Sequence, residues 1–197
     1  MVTRFLKGFV TVLALALMFP FALLSGFGRL PDAFQLFAQG LAMVPGLPGD
    51  YLRIAFYSMT LEQCPLKSRI SFGSFFAQSS VRIGSGVYIG AYCVIGSCEI
   101  GDRTQIASQV QILSGRHQHD VDESGRLLSS DETSFIPVKI GPDCWIGATS
   151  IIMADVGQGT TIGAGSVVPR PISANVIAVG NPAREIKQRV RHTSSTA

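Results

Sequence analysis

Apolar residues in the middle of the chain recur with a period of six. Ile83, Ile89 and Ile95 are spaced by six, and after one step of five the period resumes at Ile100, Ile106 and Ile112. Gly84, Gly90, Gly96 and Gly101 each follow one of these residues directly. An amphipathic helix repeats near 3.6 and a half-buried strand repeats every 2, so neither produces this pattern. A chain that runs a short strand, turns a corner and starts again does, because stacked coils bury each aliphatic against its copies. The pattern predicts a parallel β-helix over residues 66–187.

The repeats are uneven at three places. At the start, ISFGSFFAQSSV precedes the regular period, and Phe72, Phe75 and Phe76 are expected to fill the end of the core. The period then stops at Leu113 and returns at Val138, leaving an inserted loop, 114–137. In the second run Ile140, Ile146, Ile152, Ile162 and Val168 are inward, but Ile152 and Ile162 lie ten residues apart where two hexads need twelve. One corner, around Ala154–Gly157, is therefore shortened.

Residues 1–65 carry a different pattern. Phe9 to Phe27 is nineteen residues without a charge, close to the roughly 20 that cross a bilayer. Arg4 and Lys7 precede it and Arg29 follows, so the positive-inside rule places both ends in the cytoplasm. A helix broken at Pro20 that dips into one leaflet and returns satisfies that rule. A plain span and a buried soluble helix are the alternatives, and a cleaved signal peptide is disfavoured by the length of the run and the lack of a small-x-small site. Pro31 and Asp32 then start a helix with Phe34, Phe37, Leu41 and Val44 on one face. PGLPGD (45–50) breaks it. A second short helix, from Tyr51 to about Leu61, presents Leu52, Ala55, Phe56 and Met59 and is expected to cap the open end of the coils. Residues 1–65 thus read as a hydrophobic membrane-associating arm with capping helices, and 188–197 as a disordered tail.

Composition narrows the function. The 197 residues carry a formal net charge of only +3, and no Lys/Arg block points to nucleic acid. Cys64, Cys93, Cys98 and Cys144 form no CxxC pair and read as small core residues in a reducing compartment.

The inserted loop holds the candidate chemistry. His117 and His119 point the same way if the segment is extended, and Asp120, Asp122 and Glu123 follow them. An exposed polar loop is the plain reading. Its position at the edge of a rigid coil favours another, since an imidazole held there can take a proton from a hydroxyl at neutral pH.

These hexads, with ILSGRHQHD, PVKIGPDCWIGA and GNPAREIK in that order, resemble the hexapeptide-repeat acyltransferases, most closely the sugar and polysaccharide O-acetyltransferases. The resemblance implies a left-handed parallel β-helix, all-β apart from the arm, and a homotrimer with active sites between subunits. It implies acetyl-CoA as co-substrate, no metal, and a sugar or lipid-linked glycan as acceptor. His117 matches the family's catalytic histidine, with His119 as a lesser candidate because some polysaccharide acetyltransferases carry a similar HxH. Trp145 matches a tryptophan that lines the active site. Gly163, Ala164, Gly165 and Ser166 are expected along the pantetheine arm of the donor, with Arg170 and Arg184 near its phosphates. Pro169-Arg170 replaces the Thr-Lys often found there. With the arm, the implied location is the cytoplasmic face of a bacterial inner membrane. Two alternatives remain open: a γ-class carbonic anhydrase, which needs three histidine ligands across a subunit boundary, and a non-catalytic trimeric membrane scaffold.

Overall fold

The computed structural model describes residues 2–114, 126 and 136–189, with side chains from Phe5 onward. Its centre is a stack of triangular coils, and each side of the triangle is one short parallel sheet. The first side stacks β1 (Arg69–Ile70), β4 (Tyr88–Ile89), β7 (Gln105–Ile106), β10 (Trp145–Ile146), β12 (Thr161–Ile162) and β14 (Val176–Gly180). The second stacks β2 (Phe75–Phe76), β5 (Val94–Ile95), β8 (Gln111–Ile112), β11 (Ile151–Ile152) and β13 (Val167–Val168). The third stacks β3 (Arg82–Ile83), β6 (Cys98–Ile100) and β9 (Val138–Ile140), continued by bridges from Ile140 to Val156 and from Val156 to Ile172. β15 (Ala183–Gln188) turns back antiparallel on β14 and closes the stack.

The hexad becomes this shape for local reasons. The aliphatic of each hexad points inward in register with its copies, as Ile89, Ile106, Ile146 and Ile162 do on the first side. All four are fully buried, and each contributes on the order of 1.5–3 kcal/mol. The glycine that follows lies against the next coil. A Cβ on Gly147 would sit 2.4 Å from the backbone nitrogen of Ala164, so no side chain fits. Corner hydroxyls tie the coils together: Thr104 Oγ1 donates to the Gly141 carbonyl at 2.9 Å and Ser74 Oγ to that of Gly90 at 2.6 Å. All four cysteines are buried and free, which agrees with small core residues.

The shortened corner belongs to one edge. Ile152 and Val156 are both inward, only four residues apart, and so are Val168 and Ile172. Both short steps turn from the second side to the third. The step of five from Ile95 to Ile100 turns the same corner, and so does the insertion, between Ile112 and Ile140. The contraction at residues 153–155 is one member of a column rather than an isolated departure.

Three helices cover the open end: α1 (Val2–Leu24), α2 (Pro31–Ala42) and α3 (Gly46–Thr60). α1 packs along α3, and its buried stripe is Ala14, Met18 and Ala22, spaced by four. Two parts of the sequence reading are corrected here. α1 runs through Pro20 without a break. Pro20 lies within the last two turns, where the missing N–H costs one bond and the packed stripe on either side holds the helix. The chain does break between α2 and α3, at residues 43–45, but PGLPGD is mostly the cap and first turn of α3, which starts at Gly46 and not Tyr51, with Pro45 at the N-cap; Pro48 is tolerated there because a first-turn N–H has no intrahelical acceptor.

α3 is fastened by a residue whose role the pattern hid. Arg53 is fully buried, and its guanidinium donates to the carbonyls of Ile70 (2.9 Å), Leu41 (3.0 Å) and Val44 (2.7 Å) and to Asp50 Oδ1 (2.7 Å). Asp50 Oδ2 takes Arg69 of the first coil at 2.7 Å. Beside this network Tyr57 packs edge-on against Phe76, ring centroids 4.8 Å apart. Of the three predicted phenylalanines only Phe76 is fully buried, while Phe72 and Phe75 are half-buried. At the far end the chain is ordered past the expected start of the tail: Gln188 closes β15, and Arg189 donates to the carbonyls of Asp143 and Gly159, both at 2.9 Å. Residues 190–197 lie outside the described residues.

Candidate functional site

His117 and His119, with Asp120, Asp122 and Glu123, lie outside the described residues. The structure does describe both stems of the loop that carries them. Leu113 N–H donates to the Ile152 carbonyl at 2.9 Å, in register with the coil above. Ser114 is buried, and its hydroxyl accepts the Ser97 N–H at 2.9 Å. The returning strand begins at Val138, whose N–H donates to the Ser97 carbonyl at 3.1 Å. One peptide segment therefore holds both ends of the excursion. Gly96 is part of this clamp, since a Cβ there would stand 2.5 Å from Ser114 Oγ.

The edge that releases the loop also borders a groove. Along the outer surface of the third side runs a cleft of about 530 Å³. Arg82, Glu99 and Lys139 occupy successive rungs, and Asp155 accepts the Lys139 N–H at 2.8 Å. Gln63, Asp102 and Gln158 complete a polar lining that can exchange hydrogen bonds with a polyhydroxylated ligand. The sequence reading did not identify this groove. The signal was there: every shortened or interrupted step falls on the same corner.

The remaining predicted residues fall into two groups. Trp145 stands outward on the first side between Gln105 and Thr161 and is 54% exposed. Its neighbour Gly147 touches Gly163 and Ala164 in the next coil, and Gly163 lies under Val179. Arg184 is the cross-strand partner of Val179. Trp145, Gly163, Ala164, Gly165 and Arg184 therefore gather along the edge between the first and second sides. Ser166 does not join them: it is fully buried, donating to the Gly163 carbonyl at 2.6 Å and accepting the Gly180 N–H at 3.2 Å. Its hydroxyl fastens the corner and is not presented to a ligand. Arg170 is exposed between Pro169 and Pro171, on the other edge, in the column that releases the loop. Within one subunit the two predicted phosphate-binding arginines face different edges.

The cysteines offer no nucleophile. Burial pushes the Cys64 thiol up to about 12 and raises Cys93, Cys98 and Cys144 as well. A thiol held protonated is a poor attacking group.

A family model described as bacterial transferase hexapeptide (six repeats) matches residues 80–114 and 137–170, on either side of the loop. The galactoside O-acetyltransferase of Escherichia coli is 33% identical over 124 residues, covering 58% of each chain. Among solved structures, a maltose O-acetyltransferase from Clostridium difficile superposes with a TM-score of 0.66 at 25% identity, over 83% of this chain and 90% of that one. An N-acyltransferase from Bacillus cereus, in complex with coenzyme A and dTDP-4-amino-4,6-dideoxyglucose, gives 0.51 at 29% identity, over 63% of this chain and 71% of that one. The chain spans between 53% and 61% of the length of the first curated relatives it matches. The repeats and these superpositions agree with the left-handed parallel β-helix expected from the sequence.

Proposed function

We propose that this chain is an O-acetyltransferase that moves acetyl from acetyl-CoA to a hydroxyl of a sugar, a reading supported by the hexapeptide repeats matched at residues 80–114 and 137–170 and by the similarity to a galactoside O-acetyltransferase. The observation that carries the reading is the clamped excursion, which leaves a rigid coil at Ser114 with candidate imidazoles three and five residues beyond it. His117 is the general base. It takes the proton of the acceptor hydroxyl while that oxygen attacks the thioester carbonyl and forms the new C–O bond. The tetrahedral oxyanion is met by a backbone N–H near the coil edge. Its collapse breaks the C–S bond, and the CoA thiolate leaves with the proton returned from His117. Transfer is direct, since the buried protonated thiols support no acyl-enzyme.

The donor lies along Gly163, Ala164 and Gly165, with Trp145 beside it and Arg184 at a phosphate. Arg170 reaches the same donor only from a neighbouring subunit, because it faces the other edge. A homotrimer with the site between subunits reunites the two groups. The acceptor is a polymeric or lipid-linked glycan, reached at the cytoplasmic face of the membrane. The exposed side of α1 supports this: Phe5, Leu6, Phe9, Val12, Leu13 and Leu17 are all about half exposed or more. Such a continuous apolar surface marks an interaction site. Since α1 packs along α3, that surface enters the bilayer interface sideways.

The purified full-length chain should bind acetyl-CoA by calorimetry and release CoA in the presence of a sugar acceptor. Binding without turnover on any sugar would move the chain to another acyl acceptor. Absence of CoA binding would leave the scaffold and carbonic-anhydrase readings.

A further inference from the structure

A second cleft of about 530 Å³ lies where α1, α3 and the first coil meet. Its lining divides into two halves. Lys7, Lys67 and Arg69 supply three positive charges against the single carboxylate of Asp50. That carboxylate is already committed, Oδ1 to Arg53 and Oδ2 to Arg69, each at 2.7 Å. Lys7 and Lys67 have no ion-pair partner among the described residues. The other half is apolar, with Leu47, Tyr51, Ile54 and Leu66, and the rim residues Leu47 and Leu66 stand well exposed.

This cleft adjoins the apolar face of α1. Lys7 lies between Leu6 and Phe9 in sequence, so the cationic half sits where the exposed helix surface begins. A ligand that satisfies both halves carries an anionic phosphate joined to an apolar chain.

We propose that this cleft binds the headgroup of an anionic phospholipid, with Lys7, Lys67 and Arg69 on the phosphate and the start of the acyl chain over Leu47 and Leu66. The proposal rests on the reading of α1 as a membrane-facing helix. It adds a site that orients the trimer on the bilayer and selects the charge of the lipid beneath it.

The test uses the full-length chain and sedimentation with vesicles of phosphatidylcholine, alone or mixed with phosphatidylglycerol. Lysines beside an anionic surface each contribute about fivefold, so Lys7→Gln with Lys67→Gln should lose roughly 25-fold in affinity for the mixed vesicles. Binding to pure phosphatidylcholine, carried by α1, should not change. Lys139→Gln with Lys187→Gln removes the same charge elsewhere and should cost much less; an equal loss would mean diffuse attraction and overturn the site. Calorimetry with a short-chain phosphatidylglycerol below its micelle concentration tests the cleft without a membrane. Binding abolished by the Lys7/Lys67 pair supports the site, and no binding overturns it. Inorganic phosphate binding as tightly as the short-chain lipid would reassign the cleft to a free anion. Short-chain binding without any vesicle binding would refute the membrane reading of α1 and leave the cleft intact.

Discussion

Replacing Ser114 by alanine should slow acetyl transfer while leaving the donor site as it is. The hydroxyl accepts the buried Ser97 N–H at 2.9 Å. Its removal leaves that donor unpaired, at a cost of about 1–3 kcal/mol. The lower end is expected, because Leu113 and Val138 keep their own bonds to Ile152 and Ser97. His117 lies three residues beyond Ser114, within about 10 Å along the chain. A shift of about 1 Å in a reacting group can cost about 10²-fold. Turnover of Ser114→Ala should therefore fall by about 10- to 100-fold, with KM for acetyl-CoA within about twofold of wild type, because Trp145, Gly163 and Arg184 lie on another edge. Steady-state kinetics with denaturant unfolding on the same preparation separate the two effects. If stability drops by about 1 kcal/mol and turnover does not change, the clamp holds the fold only, and the link from neck to catalysis is refuted.

Arg53→Met should cost about 1–3 kcal/mol in unfolding, since it leaves the Ile70 and Val44 carbonyls without the guanidinium while Asp50 keeps Arg69; a loss below about 0.5 kcal/mol would show that the network is replaceable. Arg184→Ala should weaken acetyl-CoA binding by about 1.5–3 kcal/mol, and by less for dephospho-CoA if the contact is to the 3′-phosphate; equal losses would move Arg184 to the pyrophosphate. The thiols give a pH dependence of known sign. Burial raises Cys64 to about 12 above an unfolded value near 8.5, so the folded state holds its proton longer and stability falls as pH rises from about 8.5 toward 12. Cys64→Ala should flatten that decline, and an unchanged slope would mean that other groups set it.

Much of this architecture was legible because the hexad is a direct image of one side of a coil. Spacing alone predicts the inward aliphatics of both hexad runs, Ile83 to Ile112 and Ile140 to Val168. Spacing fails where a corner contracts. Val156 and Ile172 sit only four residues from the preceding inward aliphatic, so a hexad template passes over them, although both line the groove. Pro48 misled because a proline in the first turn of a helix carries almost no penalty, and Pro20 because one lost hydrogen bond did not end α1. Arg53 was hidden for a different reason: its burial is set by carbonyls at the ends of α2 and the first coil, which no local pattern records. The split of Arg170 from Arg184 follows from counting sides, which a hexad spacing alone does not assign.

The central claim is that a histidine on the clamped loop takes the acceptor's proton. Turnover of acetyl-CoA with a sugar acceptor by His117→Ala and His119→Ala tests it directly. His117→Ala should lose about 10²–10⁴ in rate with CoA affinity and oligomeric state unchanged, and His119→Ala much less. The reverse ranking would make His119 the base, and two active variants would contradict the mechanism.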